Sequence, residues 1–495
     1  MRPQRIRFAP VVHWELDLPV ASEENALPAA PNKSSSSLSS SKTSVHRKSK
    51  ICVTGKTRSG CRECKRRRVK CDETFPVCLR CQRSGTVCRA LPRPDQWQFE
   101  LPGISPVRKG SRIDNHVEVH QVPHVNKILL QGWLQTASRI MVLDHTWNPL
   151  SLPLLQYCTI SYSLVHVLQS ISAGYQEFFQ SSRLVLSLEE RSKALVALRE
   201  ELETGRQSSI SCFFTAYLLG ISSTYIDNQV TDYGKEHFLA ARQMLKEIIS
   251  CPEDYAGEMT SFLVGTFVYW YFTCSTLLEP LEGSSAEGDA LIYQQVLGMA
   301  SIRHPITGVC TSLFYLLGNL GRHCRAVVEL GIRDIPMEDD FERALLQWQT
   351  GLESRFWEIT ADAFRNYGLI MLYRVCRQHT SDSDSHMLLD AEVERMIREY
   401  ALRTIHDLVE VPLKSNFMVL QPVPLMTAGA ELREEDQELR KLVIARFQAL
   451  FSYSRLRANL YAINLLEEVW DLKDRGHTKS WLEVMLLKNW RLRLG

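Results

Sequence analysis

Six cysteines constrain this chain more than any other feature: Cys61-x2-Cys64-x6-Cys71-x6-Cys78-x2-Cys81-x6-Cys88. A segment this short has no hydrophobic core worth counting, so cross-linking or metal must supply its folding energy. A disulfide framework would suit a secreted chain, but Met1–Pro19 mixes Arg, Glu, Asp and Trp and lacks the apolar run of a secretory leader. Metal is the better reading. Each Cys-x2-Cys pair brings two sulfurs to one side of a short turn, at the spacing tetrahedral zinc requires. A third cysteine follows each pair after six residues, so the segment is two similar halves. Two separate four-sulfur sites would need about eight thiolates. Six serve two ions only if two sulfurs bridge.

The residues between the ligands indicate the purpose. Five of the six residues in Lys65-Arg66-Arg67-Arg68-Val69-Lys70 are cationic, and they occupy a stretch long enough for one or two helical turns. Packing like charges is costly, and phosphates would relieve the repulsion. Arginine can also take guanine O6 and N7 bidentately in a major groove. The second half, Leu79-Arg80-Cys81-Gln82-Arg83-Ser84, is less basic and suits backbone contact. The wider charge distribution agrees. Residues 46–93 carry 15 Lys/Arg against three Asp/Glu, whereas residues from 94 onward carry 38 against 49. A basic segment on an acidic body points to a polyanion partner for that segment alone.

The stretch Gly60–Arg89 closely resembles the fungal six-cysteine (binuclear zinc cluster) transcription factors. All six cysteines align, as do Lys70-Cys71-Asp72 and Pro76. The resemblance implies two zinc ions per chain, with Cys61 and Cys78 bridging, Cys64 and Cys71 completing one site, and Cys81 and Cys88 the other. It also implies that Arg68, with Arg67 beside it, touches the bases of a CGG-type triplet. Many members carry Lys where this chain has Arg68. The expected DNA-contacting set is Arg62, Lys65, Arg66, Arg67, Arg68, Lys70, Arg80 and Arg83. Cys52 falls outside the pattern. A nuclear regulator of RNA polymerase II transcription, acting with the transcription machinery on a metabolic or biosynthetic gene set, is what such a chain implies.

Four domains are expected: a disordered arm over 1–45 with the tract Ser34–Ser41, the zinc cluster module over 46–93, a linker over 94–125 and an all-α regulatory domain over 126–495. The fold class is therefore a small metal-stabilised module plus a large helical body. The body resembles the regulatory domain of one branch of these factors at Asn148-Pro149-Leu150, Leu164–Leu168, Gln294–Gly298, Val469-Trp470-Asp471 and Trp481–Met485. Helical periodicity recurs at Leu164–Phe178, His237–Ile249, Ala344–Arg365, Leu388–Glu410 and Glu434–Val469. Ser187-Leu188-Glu189-Glu190 has capping-box form, Leu188, Leu195, Leu198 and Leu202 share a face, and Gly205 offers a stop.

Ser261–Leu278 has no formal charge but carries Ser, Thr and Tyr and no flanking basic cluster, which predicts a buried helix and no membrane span. The body lacks His-Glu-x-x-His, phosphate-loop, Gly-x-Ser-x-Gly and Gly-x-Gly-x-x-Gly patterns, so no enzyme is expected. Cysteines from Cys158 to Cys376 fall singly and read as reduced, buried thiols, and His304, His323 and His379 read as isolated structural residues. The aromatic run Phe267–Phe272 reads as core, with a pocket for a small-molecule effector as the alternative. The region 89–125 has no heptads, which leaves a monomer and a homodimer formed through the α-domain both open.

Overall fold

The computed structural model describes residues 60–72, 78–84 and 86, then 125–495 apart from 145–146, 177–181, 206–207, 227–229, 251–256, 281–285, 300–301, 350–353 and 378–383. The arm, most of the linker, Cys52, Pro76, Cys88 and His379 lie outside the described residues.

The cysteine segment forms two short helices, α1 (Arg62–Arg66) and α2 (Leu79–Arg83). In the body, α3 (Tyr162–Gln176), α4 (Ser182–Thr204), α5 (Ser209–Ile226), α6 (Lys235–Ser250) and α7 (Glu258–Cys274) come first. After a further helix, Ala286–Gly298, come α8 (Thr311–Leu330), α9 (Ile335–Gln347), α10 (Arg355–Met371) and α11 (Asp384–Glu410). The last are α12 (Pro422–Ala430), α13 (Gln437–Ser454), α14 (Ala458–Asp474) and α15 (Trp481–Leu487). Chain neighbours pack on each other: α3 on α4, α5 on α6, α10 on α11, α13 on α14. Among the described residues, the sole β pairing is one bridge between His304 and Gly308. The all-α expectation holds.

Helix α7 explains the uncharged stretch. Phe262, Leu263, Val264, Phe267, Val268, Trp270 and Phe272 are all buried, and Phe272 alone makes edge contacts with Phe364 and Tyr367. A helix apolar on every side belongs in a core or a bilayer, and no described helix is long and apolar enough to cross a membrane. Gly265 of α7 is required by close approach: a Cβ there would lie 2.6 Å from the His304 ring. His304 Nε2 donates to the Phe262 carbonyl at 3.0 Å, while Nδ1 accepts from the Ile306 and Thr307 amides at 3.1 Å. Those partners suit a neutral imidazole, and burial holds its pKa down at about 4. His304 is structural, as expected. Within the aromatic run, Tyr269 and Trp270 line a cavity of about 90 Å³ with Tyr217, Tyr453 and Arg493, while Phe267 and Phe272 are core.

Several local expectations are corrected. Helix α4 begins at Ser182, so Ser187 lies inside it and the capping box of Ser187 with Glu190 does not form. Ser187 instead exchanges hydroxyl-to-carbonyl hydrogen bonds of 2.8 Å with Ser170 of α3. Glu190 turns inward to His166 and Lys193, both at 2.7 Å. Burial alone would raise its carboxyl, and the hydrogen bonds to His166 and Lys193 more than reverse that, to about 2. The α3–α4 seam is therefore polar, and it takes Ser187, Glu190 and Ala194 as its buried residues. Leu188, Leu195 and Leu202 face solvent, and only Leu198 of the leucine stripe packs on the core. Gly205 does stop the helix, at φ +62°.

The periodic stretch 344–365 is two helices, because Trp348 adopts an extended ψ of 123° after α9. The stretch 434–469 is also two, because Arg455 reverses the chain at φ 63° after α13. A capping box does form at Ser480 and Glu483, where Glu483 Oε2 accepts the Ser480 amide at 2.7 Å. The end of α11 is satisfied by a buried cation: Arg446 Nη2 donates to the Leu408 and Val411 carbonyls at 2.9 and 2.6 Å.

Candidate metal centre and nucleic-acid interface

The Cys-x2-Cys spacing works because the first cysteine of each pair caps a helix. The Cys61 sulfur accepts the Cys64 amide at 3.3 Å at the start of α1, and the Cys78 sulfur accepts the Cys81 amide at 3.4 Å at the start of α2. This uses orphan N–H groups and places both sulfurs at the positive end of a helix, where thiolate is favoured. The second half begins 17 residues after the first and repeats its geometry.

Cys61, Cys64, Cys78 and Cys81 are buried, and their ligand atoms lie within 4.8 Å of one another. The Cys61 sulfur is 3.8 Å from Cys78 and 3.7 Å from Cys81, and the Cys64 sulfur is 3.6 Å from Cys78. Zinc with sulfur ligands at about 2.3 Å puts tetrahedral neighbours roughly 3.8 Å apart. These spacings fit that geometry and exclude disulfides, whose sulfurs sit about 2.05 Å apart. Burial raises the thiols of Cys61 and Cys78 above their ordinary range. Four sulfurs so crowded are reconciled by a cation among them. Cys71 is also buried, beside the cluster.

Helix α1 stops in a way that sets up the surface. Arg68 takes the left-handed conformation at φ 55°. Its amide donates to the Lys65 carbonyl at 3.1 Å and the Val69 amide to the Cys64 carbonyl at 3.0 Å. That is a Schellman termination, completed by Val69 packing on the sulfurs. The second half matches it with Thr86 donating to Cys81 at 3.1 Å. In the sequence the residue at the same offset in the second half is Gly85, which lies outside the described residues. An arginine at such a position costs about 1–2 kcal/mol in backbone strain. The first half accepts that cost at the residue the resemblance assigns to base contact.

All eight expected contact residues, Arg62, Lys65, Arg66, Arg67, Arg68, Lys70, Arg80 and Arg83, are exposed. Arg66 is held to Glu63 by bonds of 3.0 and 2.7 Å, and Arg67 Nη1 donates to Ser84 Oγ at 2.7 Å, tying the two halves together. Asp72 is the residue whose role sequence reasoning missed. Its carboxylate accepts the Leu79 and Arg80 amides at 2.9 and 3.1 Å, capping α2 from the other half. The cap is not adjacent to the helix in sequence, so no local pattern could reveal it.

Comparison with known proteins agrees with this geometry. Residues 59–98 match the fungal Zn(2)-Cys(6) binuclear cluster domain, which binds two zinc ions, and residues 128–495 match the fungal specific transcription factor domain. The chain is 39% identical over 51 residues to the transcriptional regulatory protein moc3 of Schizosaccharomyces pombe, covering 10% of each chain. It is 58% identical over 33 residues to the Zn(2)-C6 fungal-type transcription factor afumD of Aspergillus fumigatus, covering 7% of this chain and 9% of that one. The aligned regions thus span about a tenth of these curated relatives. No solved structure matches. A domain match across 128–495 and the cluster ahead of it place this chain in the fungal-specific transcription factor family of the Zn(2)-Cys(6) class.

Proposed function

We propose that this chain is a sequence-specific DNA-binding transcription regulator, with a reading module over 46–93 and a regulatory body over 126–495. The observation that carries the reading is a set of sulfurs at zinc spacing beneath an exposed arginine turn. Cys61, Cys64, Cys71, Cys78, Cys81 and Cys88 are assigned as ligands, with Cys61 and Cys78 bridging. Cys61 approaches Cys81 of the opposite pair and Cys78 approaches Cys64, the cross-pair proximity that sharing requires. When bound, zinc supplies the folding energy of the module.

Arg67 and Arg68 read the bases of CGG-type triplets, while Arg62, Lys65, Arg66, Lys70, Arg80 and Arg83 engage phosphates. The site of action is the nucleus, as for fungal zinc-cluster factors generally. Arg68→Ala should weaken a cognate duplex by about 1–3 kcal/mol with little effect on a scrambled one. Arg68→Gly, which suits the left-handed backbone, should lose the same discrimination while keeping its zinc. Equal weakening on both duplexes, in titrations at fixed salt, would remove Arg68 as the reader. Lys70→Ala should lower affinity on every sequence and flatten the log–log salt slope by about one unit. An unchanged slope would count against phosphate contact there.

A further inference from the structure

The body gathers three metal-ligating side chains that the DNA-binding reading does not use. His323 lies on α8, Glu338 on α9, and Cys376 closes the wider helical turn Leu372–Cys376 that continues α10. Such a turn is often found at functional positions. A ring nitrogen of His323, a carboxylate oxygen of Glu338 and the Cys376 sulfur lie within 4.8 Å of one another. Cys376 and Glu338 are buried, and the His323 side chain is 8% exposed. The expectations that His323 is isolated and Cys376 single are thereby corrected: the two are apart in sequence and adjacent in space.

We propose that His323, Glu338 and Cys376 hold a zinc ion, additional to the two of the cysteine cluster, that pins α8, α9 and the end of α10 together. Imidazole, carboxylate and thiolate are ligand types that zinc takes, whereas the thiolate disfavours magnesium and calcium, which bind through oxygen. His323 Nε2 lies 3.0 Å from Glu338 Oε1, near the roughly 3.3 Å between neighbouring tetrahedral ligands bonded to zinc at about 2.05 Å. Three protein ligands leave one position for water. A second set, His406, Asp407 and Glu410, carries no such inference: it runs along α11 alone, His406 and Glu410 are exposed, and it offers no sulfur.

The surroundings suit the ion. Arg333 grips the Glu338 carboxylate with two nitrogens, Nε at 3.1 Å from Oε1, and so orients it from outside the ligand set. A divalent ion, one thiolate and one carboxylate with a neutral imidazole sum to zero charge. That leaves the guanidinium of Arg333, whose side chain is 22% exposed, to be solvated by water. On binding, Cys376 gives up its thiol proton to solvent, and the hydrogen bond between His323 and Glu338 is replaced by a bond from each to the ion. The sulfur is buried, so the ion enters as the body folds and adds to its folding energy.

The test is elemental analysis of the full chain, expressed in zinc-supplemented medium and desalted. About three zinc per chain are expected, and Cys376→Ser or His323→Ala should each remove about one with helicity unchanged. Cys78→Ala, aimed at the cluster, should keep about one. With cobalt in place of zinc, the ion kept by Cys78→Ala should show a thiolate-to-cobalt charge-transfer band. Adding Cys158→Ser, at a buried thiol outside the site, should leave that band, and adding Cys376→Ser should abolish it. No metal left in Cys78→Ala would overturn the proposal whether or not the body variants fold. A third zinc that Cys376→Ser and His323→Ala leave in place would overturn it too. The ion that depends on Cys376 belongs to the body, so it stands or falls separately from the cluster and from DNA binding.

Discussion

Cys78→Ala should strip the chain of both cluster zinc ions and reduce duplex binding to its non-specific level, a loss of roughly 10³-fold or more. Cys78 accepts the Cys81 amide at the start of α2 and lies 3.8 and 3.6 Å from the Cys61 and Cys64 sulfurs. On the proposed assignment Cys78 is shared, so its removal takes a ligand from both ions at once, and a module without its own core has nothing else to hold it. On the same proposed assignment Cys71→Ala removes one terminal ligand and should leave about one cluster zinc in place. Elemental analysis of purified variants distinguishes the two. Full zinc retention in Cys78→Ala would show that the bridging ligands have been assigned wrongly.

Glu431→Gln should destabilise the helical body by about 3–5 kcal/mol, the range for breaking a buried ion pair by removing one partner. Glu431 follows α12 and is 4% exposed at the side chain. It takes two hydrogen bonds from Arg374, at 3.1 and 2.5 Å, and one from Lys473 of α14 at 2.6 Å. Burial would raise its carboxyl, but Lys473 and Arg374 bring it to about 2. A depressed carboxylate stabilises the folded state fully above its unfolded value, near 4.3, and that contribution is lost as pH falls through about 2. The substitution leaves Arg374 with Glu394 alone and Lys473 without its carboxylate. Urea unfolding at neutral pH provides the measurement, and a loss below about 1 kcal/mol would mean the network is solvated.

The cluster was legible because metal ligation imposes a spacing, and spacing survives in a sequence. Cys61, Cys64, Cys78 and Cys81 are gathered and buried, and the basic turn between the two pairs is exposed. Two features were hidden for different reasons. Asp72 caps a helix that starts seven residues later, beyond the reach of any local capping pattern. Arg68 occupies a turn that ordinarily shows itself by glycine, and its own side chain gives no such sign.

In the body, α7 was readable because burial on all sides leaves a stretch without charge. The orientation of α4 was not, because its packed face carries Ser187 and Glu190, whose partners Ser170 and His166 belong to another helix. The break at Arg455 carries neither Pro nor Gly, so periodicity ran straight through it, and the break after Trp348 carries only Gly351. The His323–Cys376 pair shows the same limit. Residues that meet only across a fold leave no mark on the spacing of either.

If zinc-held thiolates present the Arg68 turn to double-stranded DNA, as proposed, sequence preference must depend on the metal. Selection of random duplexes by the zinc-loaded full chain tests it most directly. Enrichment of a CGG-type triplet is expected, and it should disappear when a chelator removes the metal. A zinc-replete protein that enriches no duplex sequence, or one whose preference survives complete removal of zinc, would contradict it.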